Sequence, residues 1–178
     1  MDKKKLLRFG IPVLAVLLVS VVVILASNNP LKLLRPDPAF RDYVSAYTSG
    51  VISVKSTVKI RLAEPYIDSS SVGKKLDDDI FRISPEVPGG LYWSDMRTLE
   101  FRPDEDYKPD ETYTVELDLF RFFELPDSLQ VFKFQFHTLL QNLDVKPGEL
   151  NTYEDNTSFY YLQGYVYTAD YAEIEYVK

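Results

Sequence analysis

Carboxylates are the side chains best suited by type to do chemistry in this sequence. Asp77, Asp78 and Asp79 stand together, Asp104, Glu105 and Asp106 form a second group, and Asp110 and Glu111 a third. A calcium ion takes about 6–8 oxygen ligands at ~2.3–2.6 Å, and three consecutive residues do not converge on one point by themselves. Asp77–Asp79 therefore reads as a solvated loop ahead of Ile80 and Phe81. Glycoside hydrolysis would need two carboxylates about 5–9.5 Å apart across a cleft. The second and third groups flank Pro103 and Pro109 and read instead as turn residues. His137 is the one histidine, read as a partly exposed strand residue, and there is no cysteine. That excludes disulfide frameworks, thiol nucleophiles, zinc–thiolate centres and multi-histidine metal sites. No catalytic, cofactor-binding or metal residue is assigned, and the expectation is a protein that is not an enzyme and takes no cofactor.

Composition narrows the class. The 178 residues are 46% hydrophobic, so the chain folds, and 20 basic against 27 acidic side chains leave a net charge of −7. That charge argues against a nucleic-acid partner, whose phosphates a binder must neutralise.

The elements that would position these residues are strands. From Phe40 onward short alternating runs recur between turn residues. Val58, Ile60 and Leu62 alternate with Lys59 and Arg61; Leu99 and Phe101 alternate with Glu100 and Arg102. Tyr113, Val115, Leu117 and Leu119 alternate with Thr114, Glu116 and Asp118, and Phe132, Phe134 and Phe136 alternate with Lys133 and Gln135. Each run offers one face to a core and the other to solvent. Strands at this spacing suit an immunoglobulin-like β-sandwich over 40–138.

Three structural residues stand out. Pro109 opens a polar turn that delivers Tyr113 to the start of a strand, the pattern of a tyrosine corner, in which the phenol hydroxyl bonds to backbone a few residues upstream. Trp93, the single tryptophan, lies in a hairpin with Ser94 to Arg97 near its tip and is expected to pack rather than to bind. After Thr138 a new pattern begins: Leu143 and Val145, a Pro147-Gly148 turn, a polar stretch from Asn151 to Ser158, then a tyrosine-rich strand from Phe159 to Ala169. Two strands alone do not bury a stable core, so 139–178 either attaches to the first domain or is the start of a second, incomplete β domain. Its tyrosines are expected to pack against neighbouring domains.

The N-terminal region is different in kind. Phe9 to Ala26 is an 18-residue run without charge, in which thirteen residues are Leu, Ile, Val or Phe. As a helix it would span about 27 Å, close to the hydrocarbon thickness of a bilayer. Residues 9–26 thus read as a transmembrane anchor, with a cleaved signal segment as the alternative. Lys3, Lys4, Lys5 and Arg8 make 1–8 a cytoplasmic basic tail under the positive-inside rule. Pro30, Pro36 and Pro38 make 27–39 an extended linker.

Several blocks resemble a known family. Tyr43-Val44-Ser45-Ala46-Tyr47-Thr48-Ser49-Gly50, Leu91 to Pro103, Pro109 to Tyr113, Phe134 to Thr138, and Thr168-Ala169-Asp170 look like the N-terminal Ig-like and macroglobulin region of bacterial alpha-2-macroglobulin family proteins of the Bacteroidetes type. The resemblance implies the first domain of a membrane-anchored protease trap. The chain would be single-pass in the bacterial inner membrane, with its ectodomain periplasmic. The partners implied are the lipid bilayer through 9–26, neighbouring β domains of the same protein or a longer parent chain, and proteases. The family's thioester needs a cysteine, which this chain lacks, so no trapping residue carries over. A stand-alone binding or adhesion module is the alternative. The acceptor pattern Asn156-Thr157-Ser158 is read as unoccupied, given the bacterial origin the resemblance implies.

Overall fold

The computed structural model describes residues 31–173. The chain divides into two units, 1–32 and 33–178. The basic tail 1–8 and the apolar segment 9–26 lie outside the described residues. Among the described residues no helix is long and apolar enough to cross a membrane.

Among the described residues the second unit has, along with five short 3-10 helices, ten strands: β1 (Val44–Tyr47), β2 (Gly50–Ile52), β3 (Val58–Leu62), β4 (Phe81–Ser84), β5 (Gly89–Asp95), β6 (Thr98–Pro103), β7 (Thr112–Asp118), β8 (Val131–Thr138), β9 (Leu143–Tyr153) and β10 (Asn156–Thr168). The first eight form two four-stranded sheets, β1-β3-β6-β5 and β2-β8-β7-β4. Lettered along the chain, these are the A-B-E-D and C-F-G sheets of an immunoglobulin sandwich. The extra strand β2 runs parallel to β8, whereas the other pairs are antiparallel. The chain changes sheets between β1 and β2, and Gly50 there has φ +80°, a conformation that costs a glycine little.

Period-two patterning places the core. Val58, Ile60 and Leu62 point inward from β3, and Phe132, Phe134 and Phe136 from β8. Phe81 of β4 stacks on Phe101 of β6 across the two sheets at 4.8 Å between ring centroids. In a sandwich without cysteines, aromatic packing ties one sheet to the other.

The outward faces are not uniformly solvated. Glu100, on the charged side of the Leu99–Phe101 alternation, is only 8% exposed. Arg102 lies 2.7 Å from one carboxylate oxygen, and Lys59, at 3.2 Å, and the Thr57 hydroxyl, at 3.0 Å, engage the other. Burial works against the charge of Glu100, but these donors outweigh it and hold the carboxyl below its ordinary pKa. On the other sheet Asp118 accepts two bonds from Arg82, at 2.6 and 3.1 Å. Glu116 sits between Lys133, at 2.7 Å, and Arg82, at 3.4 Å. The bond from Lys133 is the main cause of its lowered pKa, with burial opposing and Arg82 assisting.

A carboxyl whose folded pKa lies below its unfolded one adds stability above the unfolded value, and loses it as pH falls through the folded one. Unfolding free energy should therefore decline as pH drops through and below the ordinary glutamate range. Glu116→Gln should flatten part of that decline, read from urea denaturation at a series of pH values. An unchanged slope would remove Glu116 from the explanation.

β9 and β10 form a separate two-stranded ribbon. Its reversal lies at Glu154-Asp155, since Tyr153 pairs with Asn156. Pro147-Gly148, expected as a turn, lies inside β9, where the register slips between Pro147↔Gly164 and Leu150↔Leu162. Proline has no N–H to give the ladder, and a Cβ on Gly148 would stand 2.5 Å from the Gln163 carbonyl oxygen. The same two residues that favour a turn also suit a β-bulge, and the hairpin register selects the bulge.

Candidate functional site

The corner between β6 and β7 is built first from local sequence. Pro109 and Asp110 form the turn, and Asp110 takes φ +56°, a left-handed conformation that aspartate reaches more readily than most residues. Tyr113, the second residue of β7, is buried, and its hydroxyl accepts a 3.0 Å bond from the Lys108 N–H five residues upstream. The Lys108 carbonyl accepts a 2.6 Å bond from the Thr138 hydroxyl, which in turn accepts from the Glu111 N–H at 2.9 Å. The peptide before Pro109 is thus clamped by β7 on one side and by the end of β8 on the other.

Tyr107 enters the same cluster, with its ring 5.0 Å from Tyr113 and 5.4 Å from Phe136. Its hydroxyl is buried with no hydrogen-bond partner among the described residues, and burial, with Tyr113 adding to it, drives the phenol pKa well above the ordinary value. Removing an unsatisfied buried hydroxyl without changing ring shape should stabilise the fold, so Tyr107→Phe is expected to gain about 1 kcal/mol. Chemical denaturation checks this, and a loss of similar size would mean that the hydroxyl has a partner in solution.

Trp93 lies on β5 and packs against loop aromatics. Tyr66 stacks on it at 5.8 Å and Phe122 meets it edge-on at 5.9 Å. Phe123 extends the cluster toward Tyr66 and Tyr43.

The candidate chemical groups sit apart from one another, each with its own polar partner. Asp79 meets Arg121 at 2.7 Å, Asp106 meets Lys55 at 3.3 Å, and His137 Nε2 lies 3.1 Å from Asp110 while its Nδ1 lies 2.9 Å from the Thr112 hydroxyl. Among the described residues no group of three or more His, Asp or Glu side chains could hold a metal ion.

The structure offers two surfaces instead. The first is the ribbon. Cross-strand partners share a face, and the pairings Val145↔Val166 and Leu150↔Leu162, together with Leu143, put five aliphatic side chains on one side. All are between 45% and 64% exposed. The opposite side carries Tyr161, Tyr165 and Tyr167 with Asp144 and Lys146, the lysine ammonium lying 5.1 Å from the Tyr167 ring centroid. Beyond β10, Asp170 returns to the sandwich. Its carboxylate accepts from the Val54 N–H at 2.7 Å, and the Lys55 ammonium lies 3.9 Å over the Tyr171 ring. Burial raises the Asp170 pKa, but the Ser53 hydroxyl and the Val54 and Tyr171 N–H groups outweigh it and keep the carboxyl below its ordinary value. Sequence reasoning missed this tie, whose partners lie 116 residues apart. The second surface is a groove of about 740 Å³ beside the edge strands β4 and β5.

No curated protein matches the chain. Among solved structures, an L,D-transpeptidase from Mycobacterium smegmatis is 21% identical with a TM-score of 0.36, covering 67% of this chain and 43% of that one. L,D-transpeptidase 3 from Mycobacterium tuberculosis is 15% identical with a TM-score of 0.38, covering 61% and 41%. The chain thus spans less than half the length of these proteins. A family described as bacterial Ig domain matches residues 25–121, more than half of the sequence. With two sheets in immunoglobulin order and a tyrosine bond at the corner between them, the chain belongs to the bacterial Ig domain family.

Proposed function

We infer that this chain is a non-enzymatic, extracytoplasmic Ig-like module, anchored through residues 9–26 in a bacterial inner membrane, that holds and packs against neighbouring β domains. The observation that carries this reading is the β9–β10 ribbon, which presents an aliphatic face and a tyrosine face and is tied to the sandwich through Asp170. Two strands do not bury a core of their own, and an uncharged aliphatic sheet face is suited to another sheet. The charge distribution supports the orientation: four basic residues precede the apolar segment, and 16 basic against 26 acidic residues follow it, a net −10 that suits a soluble ectodomain. The finer identification, a first domain of a macroglobulin-type protease inhibitor, rests on the sequence blocks that resemble that family.

Two measurements test this. Fractionation of the full chain should place it, uncut, in the membrane pellet. Recovery of the uncut chain in the soluble fraction would overturn the anchor. Limited chymotrypsin digestion should cut the tyrosines of β10 in the purified chain and spare them in intact envelopes. Equal cutting in both would overturn the packing role.

The alternative, a stand-alone extracytoplasmic binding or adhesion module, is favoured by one observation, the groove beside β4.

A further inference from the structure

The two edge strands on either side of the groove are treated differently by the chain. The outer edge of β5 is closed by the segment before β4. The Gly73 N–H donates to the Trp93 carbonyl at 2.7 Å, the Trp93 N–H to the Lys74 carbonyl at 3.1 Å, and the Leu76 N–H to the Leu91 carbonyl at 2.8 Å. β4 pairs with β7 on its inner side only, and among the described residues no backbone bond reaches its outer side. A bare edge is a row of alternating donors and acceptors, which another extended backbone satisfies most completely.

The walls beside that edge also alternate in chemistry. On the inter-sheet side the groove is lined by Ile83, Val87, Leu91 and Phe101, and on the outer side by Arg82, Thr114 and Glu116. A strand laid along β4 would send successive side chains alternately into the apolar slot and onto the polar face. Glu86 and Asp104 also line the groove. Glu86 follows the Ser84 end of β4, and the Asp104 N–H is bonded to the Pro88 carbonyl at 2.9 Å, which brings its residue to the same loop. Arg82 is taken up by Asp118 and Glu116, whereas the carboxylates of Glu86 and Asp104 make no ion pair or hydrogen bond among the described residues.

We propose that β4 receives an extended peptide strand, added antiparallel, with apolar residues at alternate positions and basic residues at its N-terminal end. Antiparallel addition continues the pattern of β4, β7 and β8 and sets the N-terminus of the incoming strand beside Ser84. There the two free carboxylates meet its charge. This surface is independent of the ribbon, so either proposal can fail alone.

The test uses the full 178-residue chain and a synthetic peptide of two lysines followed by alternating valine and threonine. Binding in the range of about 10–100 μM is expected, with slowed amide exchange in β4. Moving the lysines to the C-terminal end, or combining Glu86→Lys with Asp104→Lys, should weaken binding about tenfold. Two further peptides, N-methylated on odd or on even amides, provide the decisive contrast. Only one set of amides can face β4, so one peptide should lose binding and the other keep it. No binding at about 1 mM, equal behaviour of the two methylated peptides, or protection confined to β9 and β10 would each overturn the proposal.

Discussion

Phe136→Ala is expected to destabilise the sandwich by about 3–5 kcal/mol, the range for truncating a fully buried phenylalanine. Phe136 has no exposed surface, stacks on Tyr113 at 5.3 Å and meets Tyr107 edge-on at 5.4 Å. Its removal would open a cavity beneath the tyrosine corner, where β7 and β8 are paired through Tyr113↔Phe136 and the walls are themselves rigid rings. Collapse around the void would have to break the bond from Lys108 to Tyr113, so little of the loss is recoverable. Urea unfolding followed by the fluorescence of Trp93 measures it. A loss below about 1 kcal/mol would mean that the corner repacks freely.

Thr138→Val keeps the volume and removes the hydroxyl, and is expected to destabilise by about 1–3 kcal/mol, because two part-buried backbone groups lose their bond to the fully buried Thr138 hydroxyl at once. The Lys108 carbonyl would lose its donor and the Glu111 N–H its acceptor. Thr138→Ser keeps the hydroxyl and should recover most of the stability, which separates the hydrogen bonds from methyl packing. If valine and serine were equally tolerated, the clamp on the corner would have to reside in Tyr113 alone.

These two residues show where sequence reasoning reached and where it stopped. The corner tyrosine is legible because its bond spans five residues, and the proline turn and the alternating strand that make it are contiguous. Thr138 marks only the end of a strand in the sequence, since its partner Lys108 is 30 residues away and no local pattern connects them. Glu100 obeys the alternation that sends it outward, yet Lys59 from the neighbouring strand and Arg102 cover it. Tyr107 carries no signal distinguishing a satisfied phenol from an orphaned one, because the difference lies in what surrounds the oxygen.

Hydrophobic alternation and turn chemistry, which are properties of neighbours in the chain, determined by themselves that the described region is all-β and forms an immunoglobulin-like sandwich, and which faces of β3, β7 and β8 turn to its core. Only the tertiary structure decided that Pro147-Gly148 bulges rather than turns, that Asp170 ties the ribbon back to Val54, and that β4 keeps a bare edge while β5 does not. Each of these depends on register or on pairing between distant segments, and a backbone hydrogen bond carries no side-chain signature of its partner.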